Sequence, residues 1–213
     1  MCLNDLIELL RKSDSFAEID KYRDEIAELI PKVIIMFDYD QEHYAHQYDL
    51  WEHSIMTVLG LTDDIDDDMT FLAALLHDIG KPDCRIYAYE HGEMKTHFPG
   101  HPKRSMEIVR DEIIPDLLKK GEPLSEKQIK MLLYYVEYHD EVITLKPECM
   151  QSHLNIGVSL SEFKNLMKLH VSDAKAHNMV PFVINRIDIC GKLSGEYADR
   201  VYKELKESTK GED

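Results

Sequence analysis

The chain has 213 residues, 44% of them apolar and only 8% aromatic, with 25 basic residues against 41 acidic ones. The formal charge of -16 excludes a generally basic, nucleic-acid-binding surface, and the sparse Gly and Pro disfavour a sandwich or barrel of many short strands. No apolar run has the length of a membrane span, no N-terminal stretch reads as a signal, and Cys2, Cys84, Cys149 and Cys190 lie far apart, so a soluble cytoplasmic protein with reduced thiols is expected.

Helical periodicity dominates the chain. Leu3, Leu6, Ile7 and Leu10 fall on one face of a first helix. Asp14 or Ser15 can cap a second, whose stripe is Phe16, Ile19, Ile26, Leu29 and Ile30, with Pro31 near its end. Residues 37–46 have no period and read as a loop, and a third helix is predicted over 50–61. The acidic run 62–68 invites a calcium reading, but an EF-hand loop needs Gly at its sixth position and Glu at its twelfth. Counting from Asp63 puts Asp68 and Ala74 there, and counting from Asp64 puts Met69 and Leu75, so calcium is rejected. The acids suit the N-terminus of the next helix instead.

That helix is predicted over 69–78, ended by Gly80 and Pro82. β-branched and aromatic residues flanking Glu90-His91-Gly92-Glu93 predict a short hairpin or ordered loop within 85–98. Further helices are expected over about 101–120, 125–138, 159–176 and 183–205. With short connections and no internal repeat, the fold class is an all-α helical bundle. It is expected to be one domain over 1–213, with an N-terminal helical segment (1–45), a core (46–180) and a C-terminal helix (181–213). Val183, Ile184, Ile187, Leu193, Tyr197 and Val201 on that last helix either close the core or form a dimer seam, so a homo-oligomer stays open.

The stretch Leu75-Leu76-His77-Asp78-Ile79-Gly80-Lys81-Pro82 ends an apolar run with two ionisable groups. Adjacent helical residues diverge by about 100°, so His77 and Asp78 can grip one ion only above the seam between them. The remaining ligands must come from other helices. His53 and Asp173 sit in amphipathic segments, where a buried carboxylate is costly unless paired or bound to a cation. Together the four form a mixed His/carboxylate shell that suits Fe, Mn, Co, Ni, Zn or Mg, with positions left for water or substrate. His101 and His139 either hold a second ion, with Asp78 bridging, or bind substrate phosphate. Taken singly, each of these residues has a plain structural alternative: a core histidine, a cap or a salt-bridge partner.

The order His53, then His77-Asp78-Ile79-Gly80-Lys81, then His101, His139 and Asp173 resembles the HD-domain superfamily of metal-dependent phosphohydrolases. The stretches His43 to Ser54 and Thr96 to Ser105 resemble the HD portion of bacterial tRNA nucleotidyltransferases (CCA-adding enzymes). Asp38-Tyr39-Asp40 lacks a preceding Gly-rich turn, so nucleotide addition is not expected from it. The resemblance implies His53, His77, Asp78 and Asp173 as core metal ligands, and His101 and His139 as the extra histidines of two-ion members. It implies hydrolysis of a phosphomonoester or phosphodiester, on a small phosphorylated substrate such as a nucleotide. Asp78 and Lys81 are the catalytic candidates, and Lys81 is also expected to reach phosphate oxygens as a point charge. The alternative for Lys81 is a partner of the helix C-terminal dipole. Lys103 and Arg104 add local positive charge for substrate, or are solvated surface. His43 and His46 lie near the His53 helix and are candidates to contact ligands or substrate. The rival reading is a non-catalytic module that binds a nucleotide, an RNA or a protein partner.

Overall fold

The computed structural model describes residues 1–62, 64–90 and 92–209; Asp63, at which one calcium count began, and His91 of the hairpin tip lie outside them. The elements, in chain order, are α1 (Leu3–Lys12), α2 (Phe16–Asp20), α3 (Arg23–Leu29), a 3-10 turn (Pro31–Met36), α4 (Leu50–Leu59), α5 (Asp68–Leu76) and α6 (Lys81–Cys84). An antiparallel hairpin follows, β1 (Ile86–Glu90) with β2 (Glu93–His97), pairing Ile86 with His97 at its open end. Then come α7 (His101–Ile108), a π-helical stretch (Val109–Ile113), α8 (Ile114–Lys119), α9 (Glu126–Tyr138), α10 (Pro147–Asn155), α11 (Leu160–Lys175), α12 (Pro181–Leu193) and α13 (Glu196–Thr209). This is an all-α bundle with one two-stranded hairpin.

α5 is the centre. Every residue from Met69 to Leu76 is buried. A helix that is apolar all round has to be covered on all sides, and α1, α4, α9 and α11 pack against it. Side-chain caps fix where the surrounding helices begin. Asp49 accepts from Glu52 N at the start of α4, and Ser125 and Ser159 form capping boxes with Gln128 and Glu162 at the starts of α9 and α11. The acidic run serves the same purpose, with Asp67 accepting from Met69 N as the N-cap of α5.

The structure departs from the predicted elements in a few places. The second predicted helix breaks at Lys21–Tyr22 into α2 and α3. Helix α5 stops at Leu76, so His77 is its C-cap and Asp78 lies in the following turn. The predicted 101–120 helix widens to π over Val109–Ile113, just ahead of Pro115, which has no N–H for the helical ladder. The single C-terminal helix is two, divided at Ser194 and Gly195. Its inner face closes the core, since Val183, Cys190, Leu193 and Val201 are buried, whereas Ile184 is exposed. Among the described residues, no helix is long and apolar enough to cross a membrane.

Two close approaches bring the functional helices together. A Cβ on Gly80 would stand 2.5 Å from the backbone nitrogen of Ser105 and 2.9 Å from the Arg104 carbonyl carbon. Only glycine lets α7 settle on the turn after α5, where Gly80 N donates to Ser105 Oγ at 2.9 Å. On the other side, Gly60 leaves room for Ser172, whose hydroxyl donates to the Thr57 carbonyl and ties α11 to α4.

Candidate metal centre

Five segments deliver the six predicted ligands to one place. His53 comes from α4, His77 and Asp78 from the end of α5, His101 from the first residue of α7, His139 from the C-cap of α9 and Asp173 from the last turns of α11. All six are buried.

The Asp78 carboxylate stands between two histidine pairs. Its Oδ2 lies 3.3 Å from His53 Nε2 and 3.1 Å from His77 Nε2. Its Oδ1 lies 3.1 Å from His101 Nε2 and 3.4 Å from His139 Nε2. Asp173 Oδ1 joins the first pair, 3.1 Å from His53 Nε2 and 3.6 Å from His77 Nε2. Donor atoms sharing one ion at bond lengths of about 2.1 Å sit roughly 3.0–3.4 Å apart, so all but the 3.6 Å separation of His77 and Asp173 fit common coordination.

Three of the histidines are aimed by the same local device. The Nδ1–H groups of His77, His101 and His139 donate to the carbonyls of Ala74, Phe98 and Val136, three residues back, at 2.8, 2.9 and 2.7 Å. For His77 and His139 these acceptors are last-turn carbonyls that have no partner within their helix. Each bond fixes the ring so that Nε2 points inward, as a metal-binding imidazole requires. His53 has no such bond: neither of its ring nitrogens has a hydrogen-bond partner.

The electrostatics show a cavity built for positive charge. Burial would raise the carboxyls of Asp78 and Asp173. His77 and Lys81 beside the first, and Arg186 beside the second, outweigh it and hold both well below the usual carboxylate range. Burial opposes a charge on His77, yet the two carboxylates overcome it and lift its pKa to about 10. With no cation bound, a proton therefore serves as the counter-charge, and a metal would have to displace it. Burial lowers His139 despite Asp78 beside it, and lowers His177 to about 4.

The residues fit a divalent ion. His53 Nδ1 and Nε2, His77 Nε2, Asp78 Oδ1 and Asp173 Oδ1 are buried without any hydrogen-bond partner. Buried polar atoms are nearly always paired, and a cluster of imidazole nitrogens and carboxylate oxygens left without partners and facing one another is one that a cation would satisfy. Two groups within ligating reach are His53, His77, Asp78 and Asp78, His101, His139; a third joins His46 and His177 to His53.

A cavity of about 430 Å³ opens onto the cluster, and Lys81, His101, His139, Asp173, His177 and Arg186 are on its wall. A larger cleft of about 560 Å³, beside α1 and α2, holds none of the predicted site residues. Lys81 is buried, with Nζ 2.6 Å from Asp78 Oδ2 and 2.7 Å from Gln41 Oε1. It opens the short helix α6 rather than standing at a helix C-terminus, so a dipole does not account for it. His43, His46 and His97 also line the cavity. Lys103 and Arg104 are not brought to it. Lys103 is exposed, and the guanidinium of Arg104 is held by Asp83 at 2.7 Å.

Sequence reasoning missed Gln41, His177 and Arg186. His177 stands four residues after Asp173, one helical turn away, which was a usable signal. Arg186 shares the inner face of α12 with Val183 and Cys190, three residues before and four after it. A charge on the buried stripe of an amphipathic helix marks an internal partner.

A family model described as HD domain matches residues 44–161. The chain belongs to the HD domain family. No curated protein and no solved structure matches it. HD domains are metal-dependent phosphohydrolases as a family, which agrees with the donor set found here. The matched span carries His53, His77, Asp78, His101 and His139, whereas Asp173 of α11, His177 just after it and Arg186 of α12 lie beyond its end and complete the cluster.

Proposed function

We propose that this HD domain protein is a metal-dependent phosphohydrolase that cleaves a phosphomonoester or phosphodiester of a nucleotide. The observation that carries the proposal is the division of the Asp78 carboxylate, one oxygen toward His53 and His77 and the other toward His101 and His139. That arrangement suits two ions sharing a bridging carboxylate, with Asp173 completing the first. Fe, Mn, Co, Ni and Zn all accept such a donor set, and Mg accepts its oxygens. Bound divalent ions bring the pKa of water toward about 7 and neutralise charge on phosphoryl oxygens.

The protein's own groups supply the rest. Lys81 Nζ, on the cavity wall, is placed to meet a phosphate oxygen as a point charge, and Gln41 steers it. His46 Nε2, 3.4 Å from Lys81 Nζ, is neutral because burial and Lys81 lower its pKa, and it accepts or donates without adding charge. Phe182, exposed on the cavity rim, and the rings of His43, His97 and Phe98 offer faces for a nucleobase. The likeness of the His43 and Thr96 stretches to the HD portion of CCA-adding enzymes supports a nucleotide-related substrate.

Elemental analysis of purified protein, with turnover measured on an aryl phosphate and a nucleotide panel, tests the reading. Asp78→Ala should lose both metal and turnover. Full turnover in that variant would sink the proposal.

A further inference from the structure

We propose that Arg186 is a positioning residue of this centre: it reserves Oδ2 of Asp173, so that only Oδ1 is presented to an ion. The inference deepens the phosphohydrolase reading and rests on it for its turnover readout alone.

The two oxygens of Asp173 have different surroundings. Oδ2 lies 3.0 Å from Arg186 Nη1. Oδ1 lies among His53, His77 and His177, at 3.1, 3.6 and 3.6 Å, and has no hydrogen-bond partner. A carboxylate can bind one ion through either one oxygen or both. Binding through both would consume a coordination position that water or substrate needs in a catalytic site. A guanidinium fixed on the outer oxygen prevents this.

Arg186 is itself fixed. Its Nε donates to His170 Nδ1 at 3.2 Å, and His170 Nε2 donates in turn to the Tyr138 carbonyl at 2.9 Å. Its Nη2 donates to the His139 carbonyl, and Nη1 also lies 3.3 Å from Asp140 Oδ1. One planar fork from α12 is thus held by α9 and α11 together. A lysine could place a charge on Oδ2 but could not make this set of bonds.

The sign of the expected effect separates positioning from mere support. A cation one carboxylate away from the ion opposes metal binding. Removing it relieves that repulsion and frees a second oxygen, so binding should hold or tighten while turnover falls. A residue that only props up the fold would, on removal, loosen the metal.

The experiment titrates metal-stripped wild type, Arg186→Met and Arg186→Lys with Co²⁺, reading affinity and visible absorption without substrate. In Arg186→Met, affinity should equal or exceed that of wild type by up to about tenfold, and absorption per ion should weaken as the coordination number rises. On the best substrate, kcat should fall by about tenfold or more with KM nearly unchanged, and Arg186→Lys should recover part of the loss. Any loss of Co²⁺ affinity beyond measurement error, or an unchanged spectrum, overturns the proposal. If Arg186→Met does not fold by circular dichroism, Arg186→Gln, which also removes the charge, decides: affinity at or above wild type with reduced absorption supports the proposal, and any other result refutes it. The titrations need no substrate, so failure to find turnover would count against the phosphohydrolase reading and leave this test standing.

Discussion

Lys81 Nζ lies 2.6 Å from Asp78 Oδ2, the oxygen that also faces His53 and His77. The lysine occupies the oxygen a first ion would use. Metal binding therefore has to move the ammonium off it, toward the cavity where a phosphate would lie.

Lys81→Met tests this arrangement through stability. With chelator present, it leaves a buried carboxylate short of its partner, which should cost about 3 kcal/mol. Saturating Mn²⁺ should restore most of that loss, because a cation again faces Asp78. Urea unfolding with and without metal measures both quantities. Equal stability of the variant and wild type in chelator would show that the lysine does not compensate Asp78.

On the proposed ligation, the two histidine pairs are separable. His101→Ala and His139→Ala should each lower metal content from two equivalents to one, with turnover reduced by about 100-fold, equivalent to ~2.7 kcal/mol of transition-state stabilisation. His77→Ala should weaken the first equivalent instead. Metal analysis after dialysis reads the stoichiometry. Two full equivalents in both His101 and His139 variants would assign those residues to substrate alone.

Gly80→Ala should destabilise the protein by about 2 kcal/mol, because the new methyl meets the Ser105 and Arg104 backbone and cannot be relieved by a side-chain turn. It also pushes α7 outward, carrying His101 from Asp78. The variant should therefore lose stability and second-ion affinity together. Chemical denaturation and metal titration of one preparation test the link.

Acid should weaken the fold through buried neutral histidines away from the ligands. Burial lowers the pKa of His153, and burial with the Arg186 charge holds His170 well below its usual value. Glu141, 3.3 Å from His153, does not reverse the first. The unfolded chain binds protons at these residues below about 6.5 and the folded chain does not, so stability falls as pH drops from 7 to 5. His77 works oppositely in metal-free protein. Its contribution is fully present below about 6.5 and is lost as pH rises through about 10. Urea midpoints at pH 5, 6 and 7 should rise in that order, and His153→Phe should shallow the trend.

Strong periodicity made most of the fold legible. Leu3, Leu6, Ile7 and Leu10 mark α1, and Ser125 and Ser159 mark the starts of α9 and α11 by capping chemistry. α10 was not foreseen because Pro147–Asn155 buries only Met150 and His153, too few positions to set a period. The break between α12 and α13 follows from Gly195, a weak helix former that an otherwise continuous stripe concealed. At the site, the six residues met in space because each ends, begins or lines a helix pointing at one spot. Lys103 was misleading because two residues after His101 is the far face of α7, and Arg104, though one turn from His101, is taken by Asp83. Arg186 was hidden because its partner Asp173 belongs to a different helix.

On the proposed two-ion ligation, the shared aspartate also means that the two halves of the site would not be loaded independently. Whatever occupies one half fixes the torsion of the Asp78 side chain, and with it the reach of the other oxygen. Filling should accordingly proceed in order, and the later event should report on the earlier one even where the histidines of each half are alike.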